Sequence, residues 1–505
     1  MKYPITLLLA IAVCMASPVA QSAETMADHC RKLYRLTDLD YAIEPGVMMP
    51  ATNGIAAHCR VRGVVNRAIR FEVTLPINNW NHRMMFSAVG GDAGMIGDTT
   101  SLLSAGYAMA STDAGHEITE GHGYYNQPEA LLDYAYRGVH LATTAAKMVI
   151  GKYYNDEVDY SYINGCSSGG RAVMLEAIRF PEDYDGIIAG APTFQFMEMI
   201  PWMIGVHRAQ TLNPLTSESF DILNEASTAA CDMIDGVADG VIGDPRQCTT
   251  DIFNVDSLVC KNGEKKGCLT PGQVETAKYV YQDMVDEKGK VLSPGVMPGA
   301  EAAGDWAFWM LPNEQFDGQS IIGSIGEMLT RIMRFEPGFN VDEFDPIADR
   351  AVIANATSPL DVRSSDLSEF RDRGGKLLMY QGWNDWALRP QRAIDYTAAV
   401  DSTMGSADKT REFYRMFMVP GMTHCAGGPG AWEADYVTPL VAWREQGKAP
   451  DRIIAKHLGN TETHLTPYQT KTSPKPFTRP LCAYPEVAEY RGRGDKDDAA
   501  SFSCR

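Results

Sequence analysis

The pentapeptide Gly-Cys-Ser-Ser-Gly at residues 165–169 constrains the fold of this chain more than any other segment. It follows a strand-like run at 160–164 and precedes a helical pattern at 170–180. A Gly-x-Ser-x-Gly pattern between strand and helix is typical of a sharp turn that raises the serine hydroxyl above a parallel sheet. Side chains in place of the two glycines would clash there, so Ser167 is the candidate nucleophile. Ser168 is the alternative, but it lacks the flanking glycine spacing.

Apolar runs that end in glycine-containing loops recur along the chain, and helical patterns lie between them. The predicted strands are 83–89, 107–111, 160–164, 377–380 and 413–419, and the predicted helices include 129–153 and 170–180. Buried runs of this kind, alternating with helices, predict an α/β fold with a largely parallel sheet. From about residue 193 to 359 the alternation is lost and four cysteines fall close together, which predicts an inserted domain.

The first 23 residues have the pattern of a signal peptide, with Lys2, an apolar run at 5–13 and small residues at 20–23. The run is too short to span a bilayer, and no later segment has about 18 uninterrupted apolar residues. A lipoprotein anchor at Cys14 would need a small residue where Val13 stands. We therefore expect a secreted or periplasmic protein with no membrane partner. A net charge of −19 argues against a nucleic-acid partner, since phosphate binding needs a basic face.

Removal of the signal peptide leaves ten cysteines in a chain that is bound for an oxidising compartment. Sequence alone does not fix their pairing. Three pairs are near in sequence: Cys231 with Cys248, Cys260 with Cys268, and Cys482 with Cys504. If Cys30 then pairs with Cys59, as the simplest choice, Cys166 is left to pair with Cys425.

The residues after the late strands supply the other two members of a catalytic triad in the order Ser, Asp, His. Asp385 follows the strand at 377–380, and His424 follows the strand at 413–419 in a glycine-rich loop. Asp385 would fix the imidazole tautomer and stabilise the imidazolium. The less favoured alternatives precede the strand or lie far beyond it, and they are Asp361, Asp366, His457 and His464.

A Cys166–Cys425 disulfide would hold its two α-carbons about 5.5 Å apart and so bring the neighbouring Ser167 and His424 within reach of each other. In the chain-entropy model such a long-range link contributes up to about 5 kcal/mol. A bridge that merely staples two halves of the chain is equally compatible with the sequence. For the oxyanion we expect the Ser168 N–H and a second donor from the early loop at 89–94, with Gly90 and Gly91 both open.

Cys-Ser within residues 165–171, Asp385, and the dipeptide His424-Cys425 together resemble the signature of the tannase family, which includes feruloyl esterases and mono(2-hydroxyethyl) terephthalate hydrolase. The resemblance spans most of the mature chain. It implies an α/β-hydrolase fold, with a catalytic domain formed by residues 24–194 and 364–505 and a lid formed by residues 195–363, which we call the inserted segment. It also implies a disulfide behind the triad and a serine esterase that forms an acyl-enzyme.

The acidic run at 231–248 in the inserted segment is similar to the calcium loop of that family. The resemblance implies Ca²⁺ as a structural ion, and hard oxygen ligands suit this cation. The implied ligands are the carboxylates of Asp232, Asp235 and Asp239 and the carbonyls of Val237 and Val241. The spacing is not that of an EF-hand, and without the family it would read as a series of acid-rich turns. No organic cofactor is expected.

By the same resemblance the substrate is a small ester of an aromatic acid, of feruloyl, galloyl or terephthalate-monoester type. The family alone does not select among these, and it says nothing here of oligomeric state. Residues that could frame the acyl group, or equally form the core of the lid, are Trp306, Trp309, Arg334 and Phe335. Arg331 and Arg389 compete with Arg334 for a substrate carboxylate. The alternative function is an inactive hydrolase-fold protein that binds aromatic ligands.

Overall fold

The computed structural model describes residues 25–314, 318–325, 340–459 and 475–505. The predicted signal peptide and the candidate residues Arg331, Arg334, Phe335 and His464 lie outside these ranges. The strands in the described ranges are β1 (Tyr41–Ile43), β2 (Val47–Met49), β3 (His58–Val65), β4 (Ile69–Pro76), β5 (Arg83–Ala88), β6 (Ala108–Thr112), β7 (Tyr160–Cys166), β8 (Gly186–Gly190), β9 (Met284–Val285), β10 (Val291–Ser293), β11 (Lys376–Gly382), β12 (Tyr414–Val419), β13 (Glu433–Ala434), β14 (Arg452–His457), β15 (Phe477–Cys482), β16 (Ala488–Tyr490) and β17 (Phe502–Cys504).

The α-helices of the same ranges are α1 (Met26–Lys32), α2 (Pro128–Leu132), α3 (Gly138–Tyr154), α4 (Ser168–Arg179), α5 (Phe196–Leu212), α6 (Ser217–Cys231), α7 (Pro271–Tyr281), α8 (Asp305–Met310), α9 (Arg350–Thr357), α10 (Ser368–Asp372), α11 (Pro390–Met404), α12 (Ala407–Arg411) and α13 (Val437–Gln446). A π-helical turn, Asp133–Arg137, joins α2 to α3. Short 3₁₀ turns occur at Leu33–Leu36, Leu103–Ala105, Ile118–Glu120, Gly123–Asn126, Asp232–Asp235, Pro245–Gln247, Val255–Leu258, Val341–Glu343, Ser358–Leu360 and Ala499–Ser501. Among the described helices none is long and apolar enough to cross a membrane.

The main sheet has the strand order β1-β3-β4-β6-β5-β7-β8-β11-β12, and β2 pairs with β3. From β6 to β12 all neighbours run parallel, whereas β1 to β4 and the β4–β6 pair are antiparallel. The five predicted strands correspond to β5, β6, β7, β11 and β12, so the predicted α/β architecture is confirmed. The loops after β5, β7, β11 and β12 therefore meet at one edge, because parallel strands end on the same side.

Alternate residues of the parallel strands enter two different hydrophobic clusters, which explains why these strands have continuously apolar sequences. Ile163 and Met379 join the cluster formed with α3, α4 and α11. Tyr162 and Leu378 join the opposite cluster, which includes Leu440 of α13. Both faces of the sheet are thus covered, and only its edges are free to carry a site.

The inserted segment, which lies between β8 and β11, is mainly helical and has its own hydrophobic cluster. Trp202 of α5, Phe220 of α6 and Trp306 of α8 contribute to this cluster. It also includes Trp386 and Leu388 from the loop after β11. The core of the inserted segment is therefore continuous with a loop at the carboxyl edge of the sheet.

Five disulfides are present in the described residues, and they match the five predicted pairs. Four of them link cysteines that are between 8 and 29 residues apart. Cys166–Cys425 spans 259 residues, with its α-carbons 6.0 Å apart. This disulfide joins the carboxyl end of β7 to the loop after β12.

Candidate active site

Ser167 lies at the turn between β7 and α4 with φ +63° and ψ −125°, a backbone conformation that non-glycine residues rarely adopt. The flanking glycines permit this turn. A Cβ on Gly165 would lie 2.6 Å from the backbone of Gly169, and a Cβ on Gly169 would lie 2.5 Å from the carbonyl oxygen of Ala88. Strain of this kind is retained where the surrounding structure holds it and function uses it.

His424 and Asp385 meet as an acid–base pair at the carboxyl edge of the sheet. His424 Nδ1 lies 2.9 Å from Asp385 Oδ2, and the Asp385 side chain is fully buried. The Leu388 N–H donates to Asp385 Oδ1 at 2.8 Å, and Gln381 Nε2 donates to Oδ2 at 3.2 Å. The carboxylate is therefore fixed in one orientation, with its charge directed at the imidazole.

The Cys166–Cys425 disulfide places the Ser167 turn beside the His424 loop, since each cysteine adjoins one of these residues. His424 Nε2 faces the disulfide at 3.7 Å from Cys425 Sγ. Within the residues that the structure describes, Ser167 Oγ makes no hydrogen bond to His424. Such bonds are often long in free enzymes and tighten when substrate binds.

Two opposing effects set the proton affinity of His424. Burial lowers its pKa, whereas the carboxylates of Asp385 and Asp305 raise it, and the net pKa lies above the usual value for histidine. The imidazolium is thus stabilised where a general base acquires its proton. Asp305 was not predicted from the sequence.

The early glycine loop lies directly beside the nucleophile. A Cβ on Gly90 would lie 2.9 Å from the Cys166 carbonyl oxygen and 3.5 Å from Ser167 Cβ, so only glycine fits this approach. Gly91 has φ +58°, in the left-handed region that favours glycine. Ser168 is the first residue of α4, whose N-terminal amides provide positive potential at the same place. The three predicted oxyanion residues are thus close to Ser167.

A group of polar side chains holds the glycine loop in place. The Tyr134 hydroxyl, from the π-helical turn, donates to the Gly91 carbonyl oxygen at 2.7 Å. Asp92 accepts a hydrogen bond from the Tyr124 hydroxyl at 2.8 Å and pairs with His122 at 3.0 Å. Although burial raises the pKa of Asp92, these two partners lower it below its usual value.

Arg171 ties this support to the nucleophile helix. Its side chain is 1% exposed, and its guanidinium lies 4.6 Å from the Tyr134 ring centroid. It donates to the backbone carbonyls of Ala135 at 2.9 Å and Tyr134 at 3.2 Å. These contacts fasten α4 to the π-helical turn.

The candidate substrate residues fall in different environments. The Trp309 ring lies 6.1 Å from the His424 ring and 5.9 Å from the Trp386 ring, beside the acid–base pair. Trp306 is only 2% exposed and packs on Phe220 in the core of the inserted segment, the second of the two roles expected for it. Sequence could not separate these two tryptophans because they share one short helix.

Arg389 does not line a binding site either. It is buried, its guanidinium stacks at 4.3 Å on the Trp202 ring, and it donates to the Ala387 carbonyl at 2.7 Å. Burial lowers its pKa to about 10. Its role is therefore within the core that joins the inserted segment to the loop after β11.

His457, Asp361 and Asp366, the less favoured alternatives to the triad residues, make local packing and capping contacts. His457 is buried and stacks on Phe477 at 4.9 Å. Asp361 accepts the Phe196 N–H at 3.3 Å, and Asp366 caps the Ser368 N–H at 3.0 Å.

The predicted calcium loop is closed by Cys231–Cys248, and its carboxylates accept hydrogen bonds from the loop's own backbone. Asp232 accepts from the Gly240 N–H at 3.0 Å, Asp235 from Val237 at 3.1 Å, and Asp239 from Val241 at 3.1 Å. Burial raises the pKa of Asp235 to about 7, with Asp239 and Asp232 adding to the effect. Arg479 pairs with Asp239.

This donor set fits a hard divalent cation in its chemistry, because buried carboxylates that repel one another gain from a shared positive charge. The three aspartate side chains do not all approach within 4.8 Å of one another. Among the described residues, the ligand atoms of His140, Glu176 and Asp183 do lie within 4.8 Å of one another. In that group His140 Nδ1 lies 2.6 Å from Asp183 Oδ2, and burial and Asp183 raise the pKa of Glu176 well above its usual value.

Comparison with known proteins shows the family to which the chain belongs. Residues 54–505 match the family described as tannase and feruloyl esterase. Mono(2-hydroxyethyl) terephthalate hydrolase of Piscinibacter sakaiensis is 31% identical, over 90% of this chain and 86% of that protein. A probable feruloyl esterase B-2 of Neosartorya fischeri is 29% identical, over 88% and 86%.

The solved structure of feruloyl esterase B from Aspergillus oryzae superposes with a TM-score of 0.80 at 26% identity, covering 95% of this chain and all of that one. Its fold agrees with the predicted α/β-hydrolase architecture. The relatives named here and the family itself are carboxylic ester hydrolases. The chain is therefore a carboxylic ester hydrolase and belongs to the tannase and feruloyl esterase family.

Proposed function

We propose that the chain hydrolyses esters of aromatic carboxylic acids through a Ser167–His424–Asp385 triad and a covalent acyl-enzyme. The observation that carries this proposal is the 2.9 Å contact between His424 and a fully buried Asp385, on a loop that a disulfide joins to the Ser167 turn. The arrangement provides a nucleophile, a base and an orienting carboxylate in the roles that acyl transfer requires.

In the first half of the reaction, Ser167 Oγ attacks the acyl carbonyl carbon while His424 Nε2 accepts the hydroxyl proton. Asp385 stabilises the imidazolium through Nδ1. The Ser168 N–H and the loop containing Gly90 and Gly91 stabilise the oxyanion. His424 then donates its proton to the departing alcohol. A water molecule then attacks the acyl-enzyme while His424 accepts its proton. His424 returns this proton to Ser167 Oγ as the acid is released.

An aromatic acyl group is supported by two observations. Trp309 offers a partly exposed aromatic side chain beside His424. Relatives carry names that refer to terephthalate and feruloyl esters. We propose that the substrate is an ester of a hydroxycinnamic acid, an ester of gallic acid or a monoester of terephthalic acid. The inactive binding protein is not favoured, because it gives no reason for an oriented acid–base pair.

We further propose that residues 1–23 direct secretion, that the inserted segment acts as a lid domain, and that its 231–248 loop binds Ca²⁺ as a structural ion. Five disulfides support an oxidising destination. The separate hydrophobic cluster of the inserted segment supports the domain assignment. Asp232, Asp235 and Asp239, with the carbonyls of Val237 and Val241, would hold the ion.

The test is turnover of a panel of methyl hydroxycinnamates, gallates and terephthalate monoesters by the secreted protein and two serine variants. We expect Ser167→Ala to lower kcat by at least roughly 10⁴-fold. Ser168→Ala keeps its backbone N–H and should lose less than about tenfold. A fluorophosphonate probe should label residue 167, as peptide mass spectrometry would show. Turnover retained in Ser167→Ala, or a label on residue 168, would contradict the proposed nucleophile.

A further inference from the structure

A carboxylate from the inserted segment lies directly behind the catalytic pair. Asp305 is the first residue of α8, and it is 3% exposed. Its Oδ2 accepts two backbone hydrogen bonds, from Trp386 N–H and from His424 N–H, each at 3.1 Å. Its Oδ1 accepts the Trp309 indole N–H at 3.2 Å. In each of these bonds the Asp305 carboxylate is the acceptor, as expected of an ionised side chain.

The two backbone donors belong to the two loops that carry the base and its partner. Trp386 directly follows Asp385 in the loop after β11, and His424 lies in the loop after β12. A single oxygen that accepts both N–H groups sets the distance between these loops. Charge-assisted bonds to a carboxylate are about twice as strong as neutral ones, so Asp305 holds the loops more firmly than a neutral side chain would.

The same carboxylate is a second negative charge against the imidazole. The charged groups that face His424 are Asp385, from its own sheet edge, and Asp305, from α8. Arg389 interacts electrostatically with Asp385. Burial raises the pKa of Asp305 and Asp385 raises it further, whereas His424 lowers it.

We propose that Asp305 is a positioning residue of the esterase: it joins the two triad-bearing loops through one carboxylate and stabilises the protonated form of His424. This inference rests on the proposed triad and deepens it. It means that the inserted segment supplies part of the electrostatics of catalysis as well as a cover for the substrate. The normal pKa of His424 then depends on the correct position of α8, because α8 carries Asp305.

The experiment is the pH dependence of kcat/KM for Asp305→Asn, measured beside the unaltered protein. The rising limb reports the apparent pKa of the base in the free enzyme. Removal of a buried carboxylate that raises the pKa of the imidazole should move that limb to lower pH by about one unit. We expect kcat at the plateau to fall about tenfold because the loops lose their charged acceptor, while KM stays within about threefold.

Glu301→Gln is the matched control, since Glu301 is also a fully buried carboxylate of the inserted segment. It accepts hydrogen bonds from the Tyr281 hydroxyl at 2.6 Å, the Ser227 hydroxyl at 3.0 Å and the Gly299 N–H at 3.1 Å, and none of these donors lies in the loops that carry the triad. This variant should change Tm but leave the rising limb in place. A limb that moves equally in both variants would show a general effect of the inserted segment and overturn the proposal.

A folded Asp305→Asn protein whose rising limb stays within about 0.2 units of the original would also overturn it. If the Asn variant does not fold, the pH dependence of kcat/KM is measured for Asp305→Ser instead. This variant removes the charge with a smaller side chain, and the same shift of the rising limb is expected. Ser167→Ala separates the two proposals. Retained turnover there contradicts the triad, whereas its loss together with an unmoved limb in Asp305→Asn contradicts only the role of Asp305.

Discussion

At the scale of single residues, the oxyanion loop depends on a hydroxyl that lies more than 40 positions away in sequence. Tyr134 donates to the carbonyl of Gly91, one residue from the backbone that approaches Ser167. The hydroxyl therefore acts on loop position, while the ring of Tyr134 packs under Arg171. A π-helical turn is a frequent feature of functional sites, and here it sets the direction of this side chain.

We predict that Tyr134→Phe lowers kcat/KM about tenfold with a change in Tm of no more than about 2 °C. Loss of a neutral hydrogen bond costs about 1 kcal/mol, and a displaced oxyanion donor costs less than a deleted one, which reaches 10²–10³-fold. Tyr153→Phe is the control, because the Tyr153 hydroxyl is buried with no hydrogen-bond partner among the described residues. Equal kinetic losses in the two variants would argue against a specific role for Tyr134.

The candidate residues that could be predicted from the sequence lie in a local motif or directly after a predicted strand. Ser167 lies in a five-residue motif, and Asp385 and His424 follow apolar strands directly. The roles of Asp305 and Tyr134 could not be predicted because their hydrogen-bond partners are distant in sequence. Asp305 bonds to Trp386, 81 residues away, and to His424, 119 residues away. A lone buried aspartate carries no periodicity or motif that would single it out.

At the scale of elements, a strand was predictable where both of its faces are buried. β5, β7, β11 and β12 are largely apolar because alternate residues enter different cores. β8 was missed because its five residues, Gly-Ile-Ile-Ala-Gly, are too short and glycine-rich to show a pattern. β13, β16 and β17 are only two or three residues long, β14 alternates between exposed and buried positions, and β15 contains Pro480.

The 231–248 loop allows a prediction at the same scale. Chelation of a bound calcium ion should lower Tm by roughly 2–3 °C, as expected for an ion present at about 100 times its Kd, and should lower the initial rate less than twofold. Asp235→Asn should abolish the Tm difference between calcium and chelator. Asp251→Asn, an exposed acid just outside the loop, should preserve it. An unchanged Tm after complete calcium removal would contradict the site.

At the scale of the whole molecule, the proposed catalytic centre is assembled from distant parts of the chain. β7 brings Ser167, the loop after β12 brings His424, and the inserted segment brings Asp305. The hydrophobic cluster of the inserted segment includes Trp386, so the core of that segment and the loop of Asp385 are packed together. The Cys166–Cys425 disulfide then links the end of β7 to the loop after β12 covalently.

This disulfide should matter for both stability and catalysis, whereas a local one should matter for stability alone. In the chain-entropy model the Cys166–Cys425 link, which spans 259 residues, contributes about 3 kcal/mol more to the free energy of unfolding than Cys260–Cys268, which spans 8. We predict that the double variant Cys166→Ala/Cys425→Ala loses at least roughly 10²-fold in kcat, because Ser167 and His424 lose their shared restraint.

The matched control is Cys260→Ala/Cys268→Ala, whose bridge lies in the inserted segment, away from the catalytic loops. Its kcat should stay within about twofold, and its denaturation midpoint should fall by the smaller amount that a short loop implies. Both pairs are measured for turnover and for unfolding in guanidinium chloride. If the Cys166/Cys425 variant folds and keeps its kcat, the packing of β7 against the loop after β12 is sufficient to align the serine and the histidine. The disulfide would then be a staple with no catalytic part.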